Sequence, residues 1–277
     1  MKITSLNVRG ISNDKKRRAV FAWCRKQKSD LILLQETHST SSIETKWKDE
    51  WGGNIIFSHG KSNARGACIL LKRRLNIDID KTVIDNNGRV VILKAKIEDE
   101  NVIIANIYAP NEDSRSVDFF EKLKLILQAE EVDSSSNIIM GGDFNCILNP
   151  LLDKRGNLIQ TKVHTAEKIF EIMKVFKLED IWRVKNPFIK SFTWSHPGKL
   201  QFSRIDYWLT SAHNQDHVNN VDIIFGIKSD HSAITLEAEI RGANSVKGPG
   251  FWKLNTSLLE NNQYVIEINQ LLEDLLK

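Results

Sequence analysis

The stretch "IDIDKTVIDNNGRVVILKAKIEDENVIIANIY", residues 77–108, decides the fold. It holds three successive strand-like segments, 77–84, 89–97 and 102–108, each rich in Ile and Val and with no helix between them. A doubly wound parallel sheet needs a crossover between successive strands, usually a helix, so strict β-α-β alternation fails here. Between the first two segments, "DNNGR" at 85–89 supplies the Asn-Gly that a two-residue hairpin turn needs for its positive φ angles. Working outward, further strand-like segments fall at 2–8, 31–35, 54–58, 67–72, 137–141, 191–195, 204–209, 221–227 and 232–240. Amphipathic helices fit 14–28, 41–51, 114–130 and 165–177, the second stopped by Gly52 and Gly53. Two mostly antiparallel mixed sheets, each flanked by helices, would bury this pattern. The expected fold is therefore an α/β, four-layer α/β/β/α sandwich.

The 277 residues are 41% hydrophobic and 27% charged, an ordinary globular composition. No run of about 18 apolar residues appears, and "MKITSLNVRG" lacks the features of a signal peptide, so a soluble, intracellular protein with no membrane partner is expected. Cys24, Cys68 and Cys146 are an odd number without a CxxC pair, which supports neither a disulfide framework nor a structural zinc site. They read as small buried apolar residues. A net charge of +4 permits a polyanionic partner without proving one. The clusters "KKRR" (15–18), "KRR" (72–74) and "KR" (154–155) read first as solvated faces. After residue 241 the composition shifts: "RGANSVKGPG" looks like a linker, and the stretch to residue 277 has helical periodicity.

Polar residues stand at the ends of apolar strands. "SLNVRG" carries Asn7, "DLILLQE" Glu36, "NVIIANIYAPN" Tyr108 and Asn111, "NIIMGGDFN" Asp143 and Asn145, "SRIDYWL" Asp206, and "SDHS" Asp230 and His231. Strand ends of a sandwich are where side chains distant in sequence can meet. Their oxygens suit Mg²⁺, with Mn²⁺ as a substitute, and no Cys/His ligand set points to zinc. Glu36 fits a carboxylate that couples such an ion to substrate phosphate. Asp143 with Asn145 can orient a water, and His231, supported by Asp206, can face a phosphate as the imidazolium that an Asp partner favours. Taken singly, Glu36 or Asp143 reads as a turn or capping acid, Tyr108 as a core-edge tyrosine and Asn7 as a backbone partner. His213 and His217 have metal-like spacing but lack the HExxH glutamate, and "GKSNARG" (60–66) fails the phosphate-loop pattern and reads as a solvent loop.

"LNVRG", "DLILLQET", "RGACILL", "NIYAPN", "IIMGGDFN", "RIDYWL" and "SDHS", in this order over residues 1 to about 240, resemble the endonuclease/exonuclease/phosphatase superfamily. The resemblance implies a four-layer sandwich, a divalent cation and hydrolysis of a phosphate ester. It implies Glu36 as a metal ligand with Asn7 nearby and Asp230 near the metal. Asp143 and Asn145 would act on water and phosphate, Tyr108 would touch phosphate, and Asp206 would support His231. Within the superfamily, "QETH", "GGDFNCILNPLLDKRGN" and the tail "GPGFWKLNTSLLEN" look like the amino-terminal endonuclease domain of a non-LTR (LINE-type) retrotransposon polyprotein. That implies an endonuclease domain at 1–241 and, at 242–277, a linker and the start of a helical segment leading toward a reverse transcriptase, so that the chain looks like an excised fragment. The family nicks one strand of double-stranded DNA, and the 3′ hydroxyl primes reverse transcription. The implied partners are target DNA, the element RNA and the reverse transcriptase domain, with action in the nucleus and an isolated domain that is monomeric.

"FTWSHPGKLQFS" (192–203) reads as a surface hairpin, and the family resemblance implies Thr193 and Ser203 at its base, both among the expected DNA-binding residues. Its tip, His196 to Gln201 with Lys199 near phosphates, is expected to enter a DNA groove, while Trp194 is expected in the core. Asn111 and Arg155 are further expected DNA contacts. Three other readings stay open: a repair enzyme cutting at abasic sites, a phosphatase or lipid phosphodiesterase on the same fold, and a non-enzymatic DNA-binding module.

Overall fold

The computed structural model describes residues 1–73, 75–97, 99–156, 162–196, 198–239 and 262–275. The chain divides into two units, Met1–Gly242 and Ala243–Lys277. In the second, the described residues form one helix, Asn262–Leu275; the linker expected from 242 and the whole "GPGFWKLNTSLLEN" tail lie outside the described residues.

The first unit holds two six-stranded sheets. Sheet one contains β1 (Lys2–Asn7), β2 (Leu31–Gln35), β3 (Ile55–Ser58), β4 (Ala67–Leu71), β14 (Val218–Ile224) and β15 (Ala233–Ala238), in the order β14-β15-β1-β2-β4-β3. Sheet two contains β5 (Asp78–Ile84), β6 (Val90–Ile97), β7 (Glu100–Tyr108), β8 (Asn137–Asp143), β10 (Leu178–Asp180) and β13 (Asp206–Ser211), in the order β10-β13-β8-β7-β6-β5. Each is mixed but mostly antiparallel: β1 runs parallel to β2 and β7 to β8. This is the expected sandwich.

Strand period two distributes the apolar residues between layers. On β2, Leu31 and Leu33 join Ala67, Ile69, Val91, Leu93, Ile104 and Trp208 between the sheets. The alternate residues Ile32 and Leu34 face outward, against Val20, Phe21 and Cys24 of α1 (Asp14–Lys26) and Trp47 of α2 (Glu44–Trp51). On the other side, Val90, Ile92, Ala105 and Ile107 meet Phe120, Leu123 and Leu127 of α3 (Asp113–Ala129) and Ile169 and Ile172 of α4 (Val163–Val175). Buried on both faces, these strands read as continuous apolar runs. Each fully buried Leu, Ile or Phe contributes roughly 1.5–3 kcal/mol. All three cysteines are buried and unbridged.

Several boundaries differ from expectation, each for a local reason. The Asn-Gly hairpin is not a two-residue turn: Ile84 pairs with Val91, and the Asp85 N–H reaches the Val90 carbonyl. The Asp85 carboxylate takes the N–H groups of Asn87, Arg89 and Val90, so the loop is longer and only Gly88 in it adopts positive φ. The expected strand 191–195 shrinks to β11 (Trp194–Ser195), and 204–209 becomes β13, starting at Asp206. Two side chains displace the ladder there: the Thr193 hydroxyl accepts the N–H groups of Ile205 and Asp206, while the Arg204 guanidinium turns inward to Asp153 and Asp180. Nor is "KKRR" only a solvated face. Arg17 is buried, bonded to Glu50 and Asp14, and lies 5.2 Å from the Trp47 ring, locking α1 to α2. The short elements β9 (Lys154–Arg155), β12 (Phe202–Ser203), β10 and α5 (Ile181–Lys185) gave no periodic signal.

Candidate active site

One row of paired residues crosses the end of sheet two: Tyr108 stands beside Asp143 across the parallel β7/β8 ladder, and Asp143 beside Asp206 across the antiparallel β8/β13 ladder. At the matching end of sheet one, Asn7 pairs with Gln35, and Glu36 follows directly in the left-handed region. The rows meet where the Asn7 amide donates to Asp143 Oδ2 at 2.9 Å, a buried bond between the sheets. Beneath it, Gln35 donates to Asn106 Oδ1 at 2.7 Å, and Asn106 donates to the Leu34 and Cys68 carbonyls.

The turn "SDHS" is fixed from both sides. The Ser229 hydroxyl donates to the Asn7 carbonyl and accepts the His231 N–H, while His231 forms an isolated bridge with Trp194. This sets His231 Nδ1 at 2.9 and 3.1 Å from the two Asp206 oxygens, so Nδ1 carries the donated proton and Nε2 is left for another partner. Asp230 does not pair with its neighbour: its Oδ2 accepts from Arg9 and from the Trp194 indole, both at 3.1 Å. The walls enclose a cleft of about 470 Å³ lined by Asn7, Glu36, Tyr108, Asn111, Asp143, Asn145, Asp230 and His231. Arg9, Glu36 and Asn145, also in its wall, are non-glycine residues at positive φ, a conformation that surrounding contacts must hold.

Burial and neighbours move the charges in this cleft. Burial pulls the His231 pKa down, but the Asp206 charge and hydrogen bond, with Asp143 and Asp230, outweigh it and raise it to about 9. Burial and then the Asp206 charge push Asp143 up to about 7, against the pull of His231, Asn7 and the Asn145 N–H. Burial, with Glu36 and Asp143, lifts the Tyr108 phenol well above its usual range. The site thus holds a hydrogen-bonded imidazolium near neutral pH beside a carboxylate that resists a second negative charge.

Asp143, Asp206 and His231 offer ligand atoms within 4.8 Å of one another. Their lone pairs are largely committed, however: both Asp206 oxygens face His231, and Asp143 accepts from Asn7 and Asn145. A hard cation fits better on two other carboxylates that line the cleft. There Asp230 Oδ1 is buried with no hydrogen-bond partner, and among the described residues the Glu36 carboxylate accepts no hydrogen bond, the His38 ring standing 3.8 Å away.

The expected surface hairpin is present among the described residues. β11 pairs with β12, which pairs with β9, a three-stranded sheet with Arg155 exposed at its edge and its guanidinium 6.0 Å from the Phe202 ring. The His196 N–H reaches the Gln201 carbonyl, Lys199 is exposed, and Gln201 and Ser203 line the cleft. Thr193, expected at the hairpin base, is buried, and its hydroxyl accepts from the backbone that carries Asp206. Trp194 is corrected as a core residue, since it stands half-buried in the cleft wall holding Asp230. Three basic residues escaped the sequence reading: Arg9, Lys162, and Arg89, whose guanidinium lies 5.1 Å over the Tyr108 ring. None sits in a distinctive spacing.

Residues 4–231 match the endonuclease/exonuclease/phosphatase family. The chain belongs to that family. Among its relatives, an uncharacterized 149 kDa protein of transposon TX1 from Xenopus laevis is 29% identical over 267 residues, which is 95% of this chain and 20% of that protein. The chain thus spans about a fifth of that relative's length. Family likeness extends to solved structures: an AP endonuclease from Archaeoglobus fulgidus superposes with a TM-score of 0.70 at 20% identity over 87% of this chain and 100% of its own. AP endonuclease LMAP from Leishmania major gives 0.72 at 16% identity over 85% and 86%. At these identities the likeness is one of fold.

Proposed function

We propose that this chain is a Mg²⁺-dependent DNA endonuclease that nicks one strand of duplex DNA by phosphodiester hydrolysis, leaving a 3′ hydroxyl that primes reverse transcription of a LINE-type element. The observation that carries the reading is that two buried pairs, Asn7 to Asp143 and His231 to Asp206, stand on neighbouring strand ends in a cleft also lined by Glu36 and the unpartnered Asp230 oxygen. The transposon relative supports the retrotransposon setting. With that setting we propose action in the nucleus, the element RNA and an attached reverse transcriptase as partners, a division at residue 241 and a monomeric domain.

The residues act in complementary roles. Asp143, oriented by Asn7 and by the Asn145 N–H, accepts a proton from the attacking water. His231 donates from Nε2 to a phosphoryl oxygen, its ring and charge set by Asp206. Tyr108, Asn111 and the Asn145 amide stand around the phosphate. Glu36 and Asp230, with Asn7 beside them, would hold a divalent cation that supplies positive charge to the phosphoryl and leaving oxygens. The hairpin tip and Arg155 would follow the duplex.

The fold neighbours that are AP endonucleases favour a second reading, incision at abasic sites. One experiment separates the two: incubate the protein with supercoiled plasmid and with an abasic oligonucleotide, with Mg²⁺ or EDTA, and map the ends. Mg²⁺-dependent nicks at preferred undamaged sites with 3′ hydroxyls support the first reading. Cutting confined to the abasic strand moves the assignment to repair, and no cutting of either overturns both.

A further inference from the structure

Lys162 immediately precedes α4 and is half-buried in the cleft wall, where its ammonium donates to the Asn145 carbonyl at 2.7 Å and to Asn111 Oδ1 at 3.2 Å. Other partly buried lysines are neutralised: Lys94 by Glu130, Lys124 and Lys168 by Glu121 and Glu171. Lys162 has no carboxylate within 4.0 Å among the described residues; both of its partners are neutral oxygens. A partly desolvated cation without a counter-charge is unfavourable unless an anion arrives to pair with it. Two of its three N–H bonds are used by these partners, and the third remains for the cleft. By donating to Asn111 Oδ1, Lys162 also fixes the amide so that Nδ2, a donor, is the group turned elsewhere.

We propose that Lys162, together with the Asn111 amide it orients, binds a non-bridging phosphate oxygen of the DNA strand, adjoining the phosphate that faces His231. This rests on the reading of the cleft as a DNA-cutting site. Burial pulls the Lys162 pKa down, partly offset by Cys146, Asp143 and Asp113, which is the condition of an ammonium that gains from a phosphate neighbour. The competing role is purely structural, a tie between the start of α4 and the Asn145 backbone.

The test is a binding titration of a fluorescent undamaged duplex in EDTA, by anisotropy, with wild type, K162M and K162R, over about 50 to 200 mM salt. A phosphate contact predicts weaker binding by K162M and a slope of log affinity against log salt smaller by about 1, with the slope restored in K162R. In Mg²⁺ nicking assays K162M should raise KM more than it lowers kcat. An unchanged slope in K162M overturns the proposal and leaves the structural tie. If K162M melts below the assay temperature, K162Q supplies the same comparison. Wild type that binds DNA but does not nick overturns the endonuclease reading alone, since the slope still decides Lys162; wild type that does not bind overturns both.

Discussion

At His231, burial and its carboxylate neighbours act in opposite directions, and the balance raises the pKa from its ordinary value near 6.5 to about 9. A raised folded pKa means that the stabilisation from the Asp206 pair is fully present below about pH 6.5 and is lost as pH rises through about 9. If the imidazolium serves phosphate and ionised Asp143 takes the proton of the attacking water, nicking should rise with pH as Asp143 ionises near 7 and fall above about pH 9. In D206N the main raising influence is gone, so the alkaline limb should move toward neutrality and the rate at neutral pH should drop by roughly 10²-fold or more. A pH profile with the same alkaline limb in both proteins would remove His231 from the chemistry. A double-mutant cycle in nicking rate sharpens this. Coupling should be large between Asp206 and His231 and smaller between Asp230 and His231, whose side chains have different partners. The adjacent letters of "SDHS" say nothing of that division; it follows from strand register, which sets Asp206 beside Asp143.

Among elements, the three-stranded hairpin sheet is where two functions are separable. Its base, Thr193 and Ser203, is buried and holds the backbone of Asp206, whereas Lys199 and Leu200 at the tip are exposed. Replacing 196–201 with a short Gly-Ser turn should therefore alter which sites are nicked more than how much is nicked; an unchanged nick map would show that the tip reads nothing. The base depends on Arg204, fully buried and bonded to both Asp153 and Asp180, which ties the β9 strap and the start of α5 to β13. R204M strands Asp180 in the interior, so an urea midpoint shift equivalent to about 3–5 kcal/mol is expected. An unshifted midpoint would mean that the network is not what secures the strap. This also explains what the sequence could and could not disclose. Long strands and helices announce themselves by periodicity because one face meets a core. Here β9, β11 and β12 are two residues each, held by Thr193 and Arg204 side chains, and such contacts leave no period to read. The basic residues in and beside the cleft were hidden for a related reason: Lys162 and Arg9 in its wall, and Arg89 over the Tyr108 ring, gain meaning only from what the fold sets beside them.

For the whole molecule, the question is what fixes one sheet against the other so that side chains from both reach one cleft. Apolar packing between them is extensive but permits sliding, whereas directional bonds do not. Directional bonds cross near the cleft at two places: at Asn7 and Asp143, which belong to the site, and at the Asn106–Gln35 pair, which lies below it and touches no substrate-facing group. Asn106 is fully buried and makes three bonds to sheet one, to the Gln35 amide and to the Leu34 and Cys68 carbonyls. Within "NVIIANIY" it reads as an ordinary polar residue, since a period of two says which face it occupies but not what it meets. N106A removes all three bonds and leaves the buried Gln35 amide with only intrasheet partners at Ser5 and Leu33. The expected loss is roughly 3 kcal/mol, read as a lower urea midpoint with an unchanged m-value. If the pair sets sheet register, the folded fraction of N106A should also nick more slowly, because Glu36 follows Gln35 directly and moves with it. Lower stability with undiminished nicking by the folded protein would assign the pair to stability alone. An unchanged midpoint would leave apolar packing and the Asn7–Asp143 bond to hold the sheets in place.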